Sequence, residues 1–264
     1  MQGKFFNNTN IGQNFLIDNS VIDFITRRAK ITKDDAILEI GPGKGILTKG
    51  LLSFHPNKVY AIEYDERLKE FLAPVEAKHE NLQIFWGDAL AFDYKTLPNL
   101  PNKIIANLPY HITTPLIFTF LEQLASLGTN YFLLMVQLEA GERLTATPHT
   151  KARSPLGITI EAMGEAKLLR RVGPESFKPR PAVTSAIVET TLSKRLDIAN
   201  DKVWRRLLQI SFKQRRKTLQ NNFLAGGYTR EQIAMIFEKL GLPPTVRAEE
   251  LTLGEWLALR ECIN

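Results

Sequence analysis

The stretch AILEIGPGKGILTKGLL, residues 36 to 52, decides the fold. Ala36 to Ile40 read as a strand, the glycines at 41, 43 and 45 turn the chain, and Ile46 to Leu52 read as a helix. Strand, glycine turn and helix make the opening half of a βαβ unit. Glycines at that turn let the backbone approach a ligand closely, at the positive end of the helix that follows. The spacing is G-x-G-x-G rather than the G-x-G-x-x-G of dinucleotide-binding turns, which argues against a nicotinamide ligand.

Outward from this stretch the pattern repeats. VYAI (59–62) reads as a second strand with a helix from about Glu66, LQIFW (82–86) as a third and KIIA (103–106) as a fourth. A helix over 115–124 leads to a fifth strand at 131–136, and 168–172 and 186–192 form an antiparallel pair at the sheet edge. Strands alternating with helices at this spacing predict an α/β fold, a Rossmann-like, mostly parallel, doubly wound sheet. After Ser193 only helical patterns follow, over 201–224, 230–240 and 252–262, with Gly226 and Gly227 stopping the first. The predicted domains are therefore 1–192, the catalytic one, and 193–264, a small helical one.

Composition narrows the function classes. The chain has 264 residues, enough for a full core, and one cysteine, Cys262, so it forms no internal disulfide and offers no thiolate metal site. A reducing, cytoplasmic setting fits. MQGKFFNNTN lacks the basic and apolar regions of a signal peptide, and YFLLMV (131–136) is too short to span a bilayer. The net charge of +6 is unevenly spread: residues 1–192 carry 21 Lys/Arg against 20 Asp/Glu, and residues 193–264 carry 13 against 8. Within 194–217 the ratio is 9 to 2, which points to a polyanionic partner held by that region.

Polar residues collect at the carboxyl ends of the predicted strands, where open α/β sheets bind ligands. Glu63 ends the second strand, 22 residues after Gly41, where a carboxylate can grip both hydroxyls of a ribose, while Asp65 is placed to cap the next helix. Asp88, after Gly87, can accept from an adenine amino group. An adenosine-containing cofactor unites Gly41, Gly43, Glu63 and Asp88. The fourth strand ends in Asn107-Leu108-Pro109-Tyr110. The Asn107 side-chain oxygen and the Leu108 carbonyl can accept from an exocyclic amine, Pro109 stiffens the turn, and Tyr110 offers a face to a flipped base. The chemistry implied is methyl transfer from a sulfonium to a base nitrogen, which alignment and electrostatics can drive without a strong base. His55, His79 and His149 lie in predicted loops without ligand-like spacing.

With these motifs in hand, the chain resembles the ribosomal RNA adenine dimethyltransferases, particularly the bacterial small-subunit (16S) branch linked to kasugamycin sensitivity. The likeness runs in order through GQNFLID (12–18), EIGPGKGILT (39–48), IEYD (62–65), GDAL (87–90), NLPYHITTPL (107–116), FKPRPAVTSAIV (177–188) and SFKQRRKTLQNN (211–222). It implies S-adenosylmethionine as cofactor, with Asn14, Leu16, Gly41, Glu63, Asp88 and Asn107 lining its site. It implies dimethylation of two adjacent adenosines in the loop of the last small-subunit rRNA helix, no metal, and Phe177 stacking on the base opposite Tyr110. The expected working form is a monomer. NNTN (7–10), Leu138 and RSPLGITIEAM (153–163) depart from the family pattern, in segments expected near the RNA. Two alternatives share parts of the pattern: a large-subunit methyltransferase of the macrolide-resistance type, and a non-catalytic nucleic-acid-binding factor. TPL after the Asn-Leu-Pro-Tyr turn and the FKPRP segment favour the small-subunit enzyme; the intact turn favours catalysis.

RNA binding is expected from the basic tail. On a continuous 201–224 helix, Lys213, Arg216, Lys217 and Gln220 share one face, with Phe212, Leu219 and Phe223 inward and Arg205 and Arg206 two turns earlier. Such residues contact phosphate and set register, leaving base choice to the cavity.

Overall fold

The structure, a computed structural model, describes residues 14–263. They form two compact units: one of residues up to 141 together with 167–191, and one of residues 142–166 together with 192 onward. The division at 191/192 lies one residue from the expected boundary. The smaller unit also takes in 142–166, which the sequence division had assigned to the larger.

The larger unit opens with β1 (Phe15–Leu16) and α1 (Asn19–Arg28), the latter capped by the Asp18 side chain, which accepts from Ser20 N. Then come β2 (Ala36–Ile40), α2 (Ile46–Leu52), β3 (Lys58–Glu63), α3 (Lys69–Glu76), β4 (Leu82–Trp86), β5 (Lys103–Asn107), α4 (Thr113–Gln123) and β6 (Tyr131–Gln137). α5 (Leu138–Leu144), where the division falls, and α6 (Pro155–Met163) lead to β7 (Gly164–Val172), β8 (Phe177–Lys178) and β9 (Ser185–Leu192). The sheet order is β4-β3-β2-β5-β6-β9-β7. Strands β4, β3, β2, β5 and β6 are parallel and β9 is antiparallel to β6, so the doubly wound expectation holds. All five residues of β2 are buried, the pattern of a central strand covered on both faces. From β2 the chain moves one way through β3 and β4, and from β5 the other way to β6. The reversal between β2 and β5 opens a crevice at their carboxyl ends.

Two packing features set the walls of that crevice. Tyr60, Phe85, Phe92, Tyr94, Phe120 and Phe132 form a continuous series of ring contacts with centroids 5.2–6.2 Å apart. Within it the Tyr94 hydroxyl donates to Ala89 O at 2.7 Å, fixing the turn that follows β4. On the other side β1 pairs with β8, Leu16 opposite Phe177, and Ser176 Oγ donates to Asp18 at 2.9 Å.

The smaller unit is helical. In α6 seven of the nine residues are buried, so RSPLGITIEAM departs from the family pattern at buried positions rather than on a surface. α7 (Lys202–Ser211) buries Trp204, whose Nε1 donates to Thr159 at 3.0 Å. α8 (Leu219–Ala225), α9 (Arg230–Leu240) and α10 (Leu253–Cys262) follow, the last two opened by capping boxes at Thr229 and Thr252. The expected 201–224 helix is thus two helices. Asn222, buried in α8, accepts from Gln214 N at 3.0 Å and donates to Gln214 O at 3.2 Å, which stabilises residues 212–217 as a turn. Arg215 Nη2 donates to the carbonyls of Lys151 and Arg153, both at 2.7 Å. Among the described residues no helix is long and apolar enough to cross a membrane.

Candidate active site

A cavity of about 620 Å³ fills the crevice, and all its walls come from the larger unit. The turn after β2 forms its floor. Gly41, Gly43 and Gly45 have φ of 67°, 62° and 76°, a backbone only glycine adopts without strain. A Cβ on Gly43 would lie 3.0 Å from the Phe15 ring, so the strand β1 wall closes directly over bare backbone. A Cβ on Gly41 would lie 3.8 Å from the Pro109 ring, so the glycine turn and the Asn-Leu-Pro-Tyr turn face each other.

Glu63 ends β3 on the cavity wall. Its two oxygens accept from Gly43 N at 3.0 Å and from Asp65 N at 2.9 Å, and burial holds its pKa above the usual carboxylate value. These bonds fix the carboxylate yet leave each oxygen a lone pair for a ligand hydroxyl. Asp65 caps the next turn, accepting from Arg67 N, as its position in the sequence implies. Asp88 lines the wall after β4; its Oδ1 accepts from Leu90 N at 2.8 Å, and Gly87 N donates to Glu63 O, tying the two strand ends together. Asn14 and Leu16 complete the β1 wall; Gly12, Gln13 and the NNTN segment lie outside the described residues.

Asn107 ends β5, and its Oδ1 is buried with no hydrogen-bond partner. Leu108 N donates to Met135 O at 3.0 Å, and Pro109 O accepts from Ile112 N and from the Thr113 hydroxyl, so the turn is rigid. Tyr110 lines the cavity, with its hydroxyl 2.6 Å from Ser185 Oγ.

The arrangement corrects one expectation and adds two residues. Phe177 is 2 % exposed, packed in the core with Leu16 and Val172, and is not on the cavity wall; its neighbour Lys178 is. A two-sided clamp of Tyr110 and Phe177 is not formed, because β8 pairing turns Phe177 inward and Lys178 outward. The first addition is Glu39, 1 % exposed on the cavity wall with Oε2 unpartnered; burial, aided by nearby Glu63, pushes its pKa up to about 8. A carboxylate inside the apolar strand AILEI was the available signal for it. The second is Lys44, whose ammonium sits 5.1 Å from the Phe15 ring centre and 5.0 Å from that of Phe71, a cation–π contact that holds β1 against the glycine turn. The carboxyl groups of Glu39, Glu63 and Asp88 thus stand on a wall that Lys44 and Lys178 also line.

The basic residues of the smaller unit do not share a helix face. Arg205 and Arg206 are exposed on α7, while Lys213, Arg216 and Lys217 are exposed on the turn that follows it. Gln220 lies in α8 and is half-buried.

The chain matches a family model described as ribosomal RNA adenine dimethylase over residues 4–264. It is 36 % identical to a ribosomal RNA small subunit methyltransferase A from Clostridium botulinum, covering 98 % of this chain and 95 % of that one. A protein of the same name from Lactobacillus delbrueckii subsp. bulgaricus is 38 % identical over 96 % of this chain and 90 % of its own. The crystal structure of a dimethyladenosine transferase from Plasmodium falciparum superposes with a TM-score of 0.79 at 28 % identity, covering 93 % of this chain and 95 % of that one. The chain carrying this cavity is matched over nearly its whole length, and it belongs to the ribosomal RNA adenine dimethylase family, a family of methyltransferases.

Proposed function

We propose that this chain transfers methyl groups from S-adenosylmethionine to the exocyclic amines of two adjacent adenosines in the 3'-terminal helix loop of small-subunit rRNA, during ribosome assembly in the cytoplasm. The name carried by its relatives supports the small subunit over the large. The observation that carries the reading is the Asn107 Oδ1 acceptor, buried, unpartnered and at the carboxyl end of β5. A buried acceptor without a partner costs about 1–3 kcal/mol, and because Asn107 lines the cavity a ligand donor there would offset that cost.

The residues present fit the cofactor. Glu63 would hold the ribose hydroxyls and Asp88 the adenine amino group, with Asn14 and Leu16 forming a side wall and Gly41 and Gly43 the floor. The unpartnered Glu39 oxygen would accept from an ammonium. When bound, S-adenosylmethionine supplies a methyl group already activated on a sulfonium. The chain's task is then alignment. Asn107 Oδ1 and the Leu108 carbonyl accept the two N–H groups of the target amine and free its lone pair. Tyr110 stacks on the base, and Phe177 supports the β1 wall through its pairing with Leu16. In the smaller unit Arg205, Arg206, Lys213, Arg216 and Lys217 would bind phosphates. The working form in this reading is a monomer.

The test is methyl transfer by purified protein to rRNA from a strain lacking the activity, with products mapped by mass spectrometry. Dimethyladenosine at two adjacent positions of small-subunit rRNA is expected. Transfer to large-subunit rRNA alone, or none, refutes the reading.

A further inference from the structure

In the segment FKPRPAVTS, 177 to 185, the aromatic residue Phe177 belongs to the core. The segment reaches the cavity again at its far end. Ser185 opens β9 opposite Gln137, the last residue of β6, while Asn107 at the end of β5 lies opposite Met135. Ser185 therefore stands at the same end of the sheet as the Asn-Leu-Pro-Tyr turn. It is completely buried, and its hydroxyl lies 2.6 Å from that of Tyr110.

This contact completes the restraint on the Tyr110 ring. At its backbone end the ring follows Pro109, with φ −58°, and begins a single helical turn, Tyr110–Ile112. At its hydroxyl end it meets Ser185, which β-sheet pairing holds in place. A tyrosine ring has two rotatable side-chain bonds, and one held only at its backbone end can swing. A ring held at both ends is a fixed wall. Burial also raises the Tyr110 pKa, keeping the phenol protonated and able to hydrogen-bond in either direction.

We propose that Ser185 is a positioning residue for methyl transfer: its hydroxyl anchors the Tyr110 hydroxyl and so fixes the ring on which the target adenine stacks. The base-stacking part rests on the function proposed above; the anchoring part does not. Stacking aligns an amine only if the ring itself is aligned, so loss of the anchor lowers the rate of the bound complex rather than its formation.

The experiment compares Ser185→Ala, Tyr110→Phe and the double variant. Single-turnover methyl transfer at saturating RNA should fall about 3–10-fold in each single variant, the scale of one neutral hydrogen bond. The double variant should fall no further, because both changes remove the same contact. S-adenosylmethionine affinity should stay close to the parent's, and Tm should fall by no more than about 2–8 °C, the loss of one buried hydrogen bond. Independently of any substrate, protein labelled with 3-fluorotyrosine should show a Tyr110 fluorine resonance, identified by its absence from Tyr110→Phe, that shifts and averages in Ser185→Ala. An unmoved resonance overturns the anchor, as do single variants at the parent rate or losses that multiply in the double variant. A parent protein that fails to methylate rRNA sinks the function proposed above, and the fluorine resonance still decides on the anchor.

Discussion

Replacing Glu39 with glutamine should flatten the dependence of stability on pH. Glu39 is 1 % exposed, and burial raises its pKa from 4.5 to about 8. Between those values the folded protein keeps a proton that the unfolded chain has released. The unfolded state therefore binds fewer protons, and stability falls as pH rises through the window. At pH 7 the unfolded carboxylate is fully ionised while the folded one is still mostly protonated. The gap of about 2.5 pH units above 4.5, at about 1.4 kcal/mol per unit, amounts to roughly 3 kcal/mol of lost stability relative to pH 4.5. Glu63 is also raised by burial and adds a slope of the same sign, so the quantity to read is the difference between parent and variant.

Urea unfolding of both proteins from pH 5 to pH 9 measures that difference. The Glu39→Gln curve should gain on the parent by on the order of 1 kcal/mol per pH unit up to about pH 8 and run parallel beyond it. Parallel curves over the whole range would refute the buried-acid assignment. The same group gives a second readout. A cationic ligand favours the ionised form, so calorimetry of S-adenosylmethionine binding near pH 7 in buffers of different ionisation enthalpy should show proton release that disappears in Glu39→Gln.

Other outcomes follow from the walls and the turn. Glu63→Ala should weaken S-adenosylmethionine binding by about 1.5–3 kcal/mol, the scale of bonds to a charged group; unchanged affinity by calorimetry in a folded protein removes the ribose assignment. Asn107→Ala should lower methyl transfer far more than RNA or cofactor affinity, because the acceptor acts on alignment, and a loss confined to KM would contradict this. Reversing Arg216 and Lys217 to Glu should weaken rRNA binding and flatten its salt dependence with little change in Tm; an unaltered salt slope makes them solvated bystanders. Arg215→Ala should do the opposite, lowering Tm by loss of two hydrogen bonds to the 151–153 segment, a change visible by calorimetry of the free protein.

Most of the fold was legible because parallel strands are apolar throughout and their helices carry a different period. AILEI, VYAI, LQIFW, KIIA and YFLLMV all lie in strands, and the reversal between β2 and β5 puts their carboxyl ends around one cavity. Residues at and just after the carboxyl ends of the central strands were legible for the same reason, since open α/β sheets form their crevice there. Gly41, Gly43, Glu63, Asp88 and Asn107 all line it. Glu39 was not legible because alternation does not operate in a strand buried on both faces, so the sequence does not say which residue near its end turns toward a ligand.

The errors arose where the deciding contact is remote in sequence. The run from 201 to 224 has helical periodicity throughout, and nothing local forbids a continuous helix. The break depends on Asn222 reaching back to Gln214 and on Arg215 bonding to carbonyls more than 60 residues earlier. Phe177 presents the same difficulty in two residues. Adjacent strand side chains point to opposite faces, and the register of β8 against β1 decides which of Phe177 and Lys178 meets the cavity. That register is set by Leu16, about 160 positions away in the chain. A motif can therefore belong to the site through a different side chain from its most conspicuous one. In FKPRPAVTS the aromatic ring supports the core, while Lys178 lines the cavity and Ser185 touches the tyrosine on its wall.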